Sequence, residues 1–374
     1  MKFAGIYIHI PFCENKCTYC DYYSLEKRNF DIGIFVEMLQ REINITAERH
    51  DKNWLFDTIY FGGGSPALLS PKEINDILNN INNQFNTSEC IEVTLEVNPG
   101  ETTEDKLLSF KNAGVNRLSI GFQSLNPTIL HTLSRTHSPD ECFTIYTNTR
   151  NIGFDNISID LLYNIPGQSV ITWINNLKIV TALKPDHIAT YPLIIDKNTP
   201  FFSQIQSGEI SPTSDERELD MYIQGSQFLM ANKFTQYEIA HFSKLGKECE
   251  HNLHYWNLEP YLAFGPSAHG YDGEKRWWNN SSLDEYLKSL SKNEKPLSGF
   301  EILNENQRYN EKILLGLRTN HGIQIDFLQN SGHNKTLHPI LKKWEKPLEI
   351  FNNSIRIKSG YYYLADEIAS DMMI

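Results

Sequence analysis

The stretch Ala4-Gly5-Ile6-Tyr7-Ile8-His9-Ile10-Pro11-Phe12-Cys13-Glu14-Asn15-Lys16-Cys17-Thr18-Tyr19-Cys20 sets the reading of the whole chain. Its first half is a β-branched and aromatic run that stops at Pro11, a residue with no N–H to give to a sheet. Three cysteines follow at once, spaced C-x3-C-x2-C. Three thiolates on a loop just past a strand can grip three corners of a metal cluster. A structural zinc wants four ligands, and His9 or Asp21 would have to complete that set. A [4Fe–4S] cube usually takes four cysteines. Held by three, it leaves one iron open, and an open iron can chelate the amino and carboxylate groups of a small ligand. The cluster is the favoured reading, with zinc or unpaired thiols as alternatives. The remaining cysteines, Cys90, Cys142 and Cys249, are scattered, so there is no disulfide framework.

Outward from this loop, strand-like and helix-like segments alternate. Residues 4–10, 57–61, 91–97, 116–122, 154–162 and 187–191 read as strands. Residues 32–49, 103–113, 139–152 and 169–183 read as helices, and Ser70-Pro71 opens another, with Ser as N-cap and Pro at the first helical position. The alternation predicts parallel βαβ units, in a doubly wound sheet or a partial or complete (β/α) barrel. Farther on, 214–230 reads as helix and 234–240 as strand. The character changes after Gly270. Residues 306–317 and 336–344 look helical, and 354–363 alternates about Ser359-Gly360 like a hairpin. The expected division is a core at 1–240, a connecting segment at 241–280 and a C-terminal domain at 281–374.

Composition bounds the function. The chain has 374 residues, 40% hydrophobic and 12% aromatic, enough apolar surface for a sizeable core. Its formal charge of −12 argues against general nucleic-acid binding, which needs a basic footprint. No apolar run is long enough to span a bilayer, and residues 1–17 lack a signal-peptide pattern, so a cytoplasmic location without a transmembrane segment is expected.

In parallel barrels, chemistry gathers at the C-terminal ends of the strands. Gly62-Gly63-Gly64-Ser65-Pro66 follows the second strand, and its N–H groups could hold a carboxylate. Glu96 and Asn98 close the third strand, Gln123 the fourth and Asp160 the fifth, and Tyr191 to Ile194 follow the sixth. Each alone is unremarkable; polar or glycine-rich groups at strand end after strand end describe a ligand site.

A C-x3-C-x2-C loop directly after a first strand resembles the signature of radical S-adenosylmethionine (SAM) enzymes. That resemblance implies an α/β fold, a (β/α)6 partial TIM barrel with a helix-rich C-terminal domain ending in a β-hairpin. It implies a [4Fe–4S] cluster on Cys13, Cys17 and Cys20, with SAM on the open iron. From Tyr7 into the C-terminal domain the chain is similar to the branch containing oxygen-independent coproporphyrinogen III oxidases and the HemW heme chaperones. The SAM contacts carried over are Tyr7, Tyr19, Gly63, Gly64, Ser65, Glu96, Gln123, Arg135, Asp160 and Ile194. The family often has Thr in place of Ser65. Glu96 and Asp160 suit amino and ribose hydroxyl groups, and Arg135 has the fork geometry for a carboxylate.

Two features separate the branches. The oxidases carry a further cysteine two residues past the third and a long N-terminal extension; here Tyr22 stands at that place, and twelve residues precede Cys13. His251-Asn252-Leu253-His254-Tyr255-Trp256 matches the H-N-x-x-Y-W pattern associated with heme binding in the chaperones. The resemblance makes His251 the first expected axial heme ligand, ahead of His254 and Cys249, with Tyr255 and Trp256 covering the macrocycle. His9 and His269 are weaker candidates near the cluster and SAM. The expected partners are heme, heme-acceptor proteins (respiratory ones among them) and an electron donor. The alternative is the oxidase, which converts propionates of coproporphyrinogen III to vinyl groups with loss of CO2.

Overall fold

The computed structural model describes residues 2–27, 30–50, 53–330 and 334–374. Its core is six consecutive parallel strands: β1 (Lys2–Ile10), β2 (Trp54–Gly63), β3 (Glu92–Val97), β4 (Arg117–Gln123), β5 (Ile157–Tyr163) and β6 (His187–Pro192). Each pairs in parallel with the next in chain order. Helices α1 (Ile32–Ala47), α2 (Pro71–Gln84), α3 (Glu104–Asn112), α4 (Pro139–Ile152) and α5 (Val170–Ala182) make the crossovers, and α6 (Asp215–Ala231) follows β6. Ser70 caps α2 in a full capping box, and Ser138 does the same for α4, each followed by Pro at the first turn.

A period of two decides what each strand face does. One face of β3 to β5 carries Leu95, Leu118, Ile120, Ile157, Ile159 and Leu161, all buried in the main core with Phe110, Ile145, Trp173 and Leu177 of the helices. The other face carries Glu96; Arg117, Ser119, Gly121 and Gln123; Ser158 and Asp160; and, on β6, His187, Ala189 and Tyr191, which line a cavity. A barrel filled with Val, Ile and Leu would be a packed plug; this one is polar inside and therefore hollow.

The sheet continues past both ends of the barrel. β6 pairs antiparallel with β7 (His241–Ser243), which pairs with the two-residue strand Thr235–Gln236. The strand expected over 234–240 is thus only a fragment. At the other edge β1 pairs in parallel with β8 (Tyr261–Phe264), and β9 (His269–Tyr271), β10 (Lys275–Asn279) and β11 (Leu297–Ile302) extend the sheet antiparallel. One sheet therefore runs across the boundary placed near 240.

A separate core gathers Ile313, Leu317, Ile323, Ile355, Ile357, Ile368 and their neighbours toward the C-terminus. Its hairpin lies earlier than the sequence suggested. Leu348–Phe351 pairs with Ser354–Ile357 around Asn352 and Asn353, both at positive φ (47° and 62°). Such a two-residue loop suits asparagine, so Asn-Asn rather than Ser359-Gly360 makes the turn. The hairpin also does not end the chain: a short 3-10 turn at Tyr362–Leu364 and a helix at Ala365–Met372 follow it, burying Ile368, Ala369 and Met372.

Candidate functional site

A cavity of about 750 Å³ opens among the barrel strands and the cysteine loop. The three cysteines, the expected SAM contacts other than Ser65, and His251 with Tyr255 all line it; His254, Cys249 and Trp256 do not. The cysteine loop is pinned at its ends by a parallel bridge of Phe12–Cys13 to Leu25–Glu26 and by Cys20 N–H donating to Cys17 O at 3.2 Å. Cys13, Cys17 and Cys20 are free and half-buried. Burial pushes the Cys13 thiol up to about 11 and raises that of Cys20, so their thiolates need a cation to exist at neutral pH. Among the described residues no three side chains of His, Cys, Asp or Glu converge as a single-ion site.

The glycine stretch works differently from the expectation. Gly64 N–H donates to Ile10 O at 2.7 Å and Ser65 N–H to Phe12 O at 2.6 Å, so these amides hold the cysteine loop and are not open to a ligand. A Cβ on Gly64 would sit 2.5 Å from Phe12 O, which is why only glycine fits. Ser65 lies behind the wall, buried, hydrogen-bonding Glu101 and accepting from Asn98 Nδ2 at 3.3 Å.

Glu96 accepts from Tyr60 Oη at 2.8 Å. Burial raises its pKa to about 7, with Asp160 adding repulsion against the hydrogen bond from Tyr60. Asp160 accepts from Ser119 Oγ at 2.8 Å and Ser158 Oγ at 2.8 Å; burial still holds its pKa above the usual range. Arg135 Nη1 points at Cys17 Sγ (3.6 Å), and its Nη2 donates to Asn98 Oδ1 (2.5 Å) and Gly121 O (3.1 Å). Gln123 ends β4 at φ 61°, beside a register break that turns it toward the cavity. His9 Nε2 donates to Tyr23 O at 2.8 Å, so its Nδ1 accepts from Tyr7 Oη at 3.1 Å. Tyr19 lines the cavity beside Cys17 and Arg135, and Ile194 stands on its rim, 75% exposed.

The H-N-x-x-Y-W stretch forms α7 (Glu250–Asn257), packed against β1 and β2 with Cys249 as its N-cap. His251 is buried in the cavity wall, stacked on Tyr60 with ring centroids 5.1 Å apart. Both its nitrogens are engaged: Nδ1 with Thr58 Oγ1 at 2.9 Å, Nε2 with Tyr255 Oη at 2.8 Å. Burial keeps the imidazole neutral. His254 is turned away, clamped between Asp57 (2.7 Å) and Glu259 (2.5 Å), and Cys249 contacts Glu92 at 3.4 Å; neither lines this cavity.

A second cavity, about 1130 Å³, lies beyond the barrel rim against the C-terminal elements. Tyr222, Trp256, Tyr261, Tyr271 and Tyr363 give it an aromatic lining. Tyr191, Ile194, His241, Asn252 and Tyr255 line both cavities, so the two share a wall. Sequence reasoning missed Tyr60, Arg117, Ser119, Ser158, His187 and His241. Part of this carried a readable signal: Arg117 and Ser119 alternate along β4, Ser158 and Asp160 along β5, and His187 shares a face of β6 with Tyr191.

The Radical SAM superfamily model matches residues 7–178. A heme chaperone HemW of Bacillus subtilis is 34% identical over 85% of this chain and 84% of its own length. A heme chaperone HemW of Mycobacterium tuberculosis is 31% identical over 86% of this chain and 83% of its own. Among solved structures, coproporphyrinogen III oxidase (HemN) of Escherichia coli aligns with TM-score 0.85 at 20% identity, covering 100% of this chain and 90% of that one. That last likeness concerns the fold.

Proposed function

This chain belongs to the HemW family of radical SAM proteins, and from that membership we propose that it is a heme chaperone, which binds heme and hands it to acceptor proteins. The observation that carries the reading is the likeness to proteins named heme chaperone along more than four-fifths of both chains. Radical SAM proteins carry a [4Fe–4S] cluster and SAM. The cluster supplies, when reduced, the electron that cleaves SAM.

The residues fit that pair. Cys13, Cys17 and Cys20 provide three thiols on one wall of one cavity, which leaves a fourth iron for SAM. Glu96 and Asp160 offer acceptors for amino and hydroxyl groups. Arg135 stands between the cysteine loop and the β4 end, where its charge can serve a carboxylate and the Cys17 sulfur together. Gly63, Gly64, Tyr7, Tyr19, Gln123 and Ile194 shape the cavity, and Ser65 holds it from behind.

Heme binding is assigned to the α7 side of the shared wall. The resemblance names His251 as its ligand; His251 faces the first cavity with both nitrogens engaged, and ligation through Nε2 requires Tyr255 Oη to swing away. The partners this reading expects are heme-acceptor proteins, respiratory ones among them, and an electron donor. Among the described residues no helix is long and apolar enough to cross a membrane.

The test is anaerobic reconstitution with iron and sulfide, then heme titration beside coproporphyrinogen III turnover. The reading expects one heme per chain, transfer to an apo-acceptor, and no protoporphyrinogen IX. Turnover of coproporphyrinogen III would assign the oxidase instead.

A further inference from the structure

Tyr191 lies near the end of β6 on the wall shared by the two cavities, 41% exposed, while His241 beside it is buried. Its hydroxyl meets His241 Nε2 at 2.5 Å. Behind His241 a chain of hydrogen bonds runs through the barrel interior. His241 Nδ1 meets Tyr237 Oη at 3.3 Å, Tyr237 Oη meets His187 Nε2 at 2.8 Å, His187 Nδ1 meets Ser158 Oγ at 2.8 Å, and Ser158 Oγ donates to Asp160 Oδ1 at 2.8 Å.

The polarity of this chain follows from valence. An ionised carboxylate only accepts, so Ser158 donates to Asp160 and must accept from His187 Nδ1–H. His187 is buried and neutral, so its Nε2 is an acceptor and Tyr237 donates to it. Tyr237 Oη then accepts from Cys249 N–H (3.2 Å) and from His241 Nδ1–H. Glu238 Oε1, 2.9 Å from that same Nδ1, also favours the proton there. His241 Nε2 is left as an acceptor, and Tyr191 donates. Five hydrogen bonds in series all point from the shared wall toward Asp160.

We infer that Tyr191 is the protein ligand to the iron of heme seated in the second cavity, and that the His241-to-Asp160 chain receives its phenolic proton. This rests on the heme-chaperone reading, with heme as cargo. On binding ferric heme, a bond forms between the iron and Tyr191 Oη as the O–H bond breaks. The proton goes to His241 Nε2, each hydrogen bond behind it passes one proton on, and the last arrives on Asp160. Water on the incoming iron leaves, and no electron moves. A tyrosine serves iron as a phenolate, and a one-way chain of acceptors gives the proton a route without solvent. The same carboxylate faces the first cavity, so cargo in one cavity changes the charge in the other.

The experiment titrates the full-length chain with ferric protoporphyrin IX and with iron-free protoporphyrin IX, recording absorption, resonance Raman and EPR spectra. Wild type should show tyrosinate-to-iron charge-transfer and Raman modes. Tyr191→Phe should lose them and bind ferric heme at least tenfold more weakly, while binding iron-free porphyrin as wild type does. His251→Ala should keep the tyrosinate modes. Tyr237→Phe lines neither cavity and breaks the chain midway; it should weaken the tyrosinate modes with an unchanged circular dichroism spectrum. Tyrosinate modes that persist in Tyr191→Phe, or that vanish in His251→Ala alone, overturn the assignment of the ligand. Wild-type modes in Tyr237→Phe overturn the proton chain. Failure of wild type to bind either porphyrin sinks the heme-chaperone reading itself, a different result from binding without tyrosinate modes, which sinks only this inference.

Discussion

Replacing His254 by Asn cuts a clamp that ties α7 to the barrel, and the cost of the cut should depend on pH. His254 Nε2 lies 2.7 Å from Asp57 Oδ1 and Nδ1 lies 2.5 Å from Glu259 Oε2. Burial by itself lowers the imidazole pKa, but the hydrogen bonds its N–H groups donate to the two carboxylates outweigh it and carry the pKa up to about 9. An unfolded histidine titrates near ~6.5. The folded value is the higher one, so the stabilisation is fully present below about pH 6.5 and is lost as pH rises through about 9. At ~1.4 kcal/mol per pKa unit the ceiling is about 3 kcal/mol. Glu259 is 43% exposed and solvent screens its share, so the true figure lies below that ceiling. Roughly 2 kcal/mol at most should disappear between about pH 7 and about pH 9. With a melting entropy of ~2.1 cal/mol/K per residue over 374 residues, that is about 2 to 3 °C. Thermal melts of wild type and His254→Asn, followed by circular dichroism across that range, should show the gap between the two narrowing by that amount. A gap that stays constant or widens would refute the charged clamp.

Glu42 on α1 is buried and accepts from Tyr286 Oη (2.6 Å), Gly265 N–H (2.9 Å) and Asn279 Nδ2 (2.6 Å). Glu42→Ala strands three donors and should cost about 3 kcal/mol in chemical denaturation, with Glu42→Gln costing less; equal losses would mean the donors do not matter. Burial lifts the Glu42 pKa to about 7, so the ionised carboxylate should be a net cost that grows as pH rises above its unfolded value, and Glu42→Gln should gain on wild type toward alkaline pH. Gly64→Ala drives a Cβ into Phe12 O and should displace the cysteine loop, seen as reduced iron and sulfide uptake on reconstitution in a chain that still melts cooperatively. Single Cys13→Ala, Cys17→Ala and Cys20→Ala variants should each lose the cluster absorption; undiminished iron content in any of them would remove that cysteine from the set.

Much of this architecture was legible in one dimension because its causes are local. Pro11 ends β1, Ser70-Pro71 starts α2, and the C-x3-C-x2-C spacing survives any folding detail because the seventeen residues from Ala4 to Cys20 carry it with its strand. Alternation of strand and helix was enough to indicate parallel crossovers, since only a helix-length connection returns a chain to the same end of a sheet. The residues named at strand ends come together for the same reason: parallel strands deliver their ends to one side.

Other assignments needed three dimensions. Gly64 and Ser65 looked like free amide donors, but whether an N–H faces a ligand or a neighbouring loop depends on the chain that packs beside it, and here that is Ile10 to Phe12. The hairpin turn fell on Asn352-Asn353 because positive φ at two successive residues, not the glycine nearest by, sets the loop. His251 and His254 are three residues apart on one helix, yet one faces Tyr60 and the other two carboxylates, a difference set by what β1 and β2 present to α7. The run from Tyr191 to Asp160 joins three segments, β6, β7 with its preceding turn, and β5, and no pattern in any of them shows it. Hydrogen bonds between side chains distant in sequence are decided by where the backbone puts them, and that is information a linear string holds only through its fold.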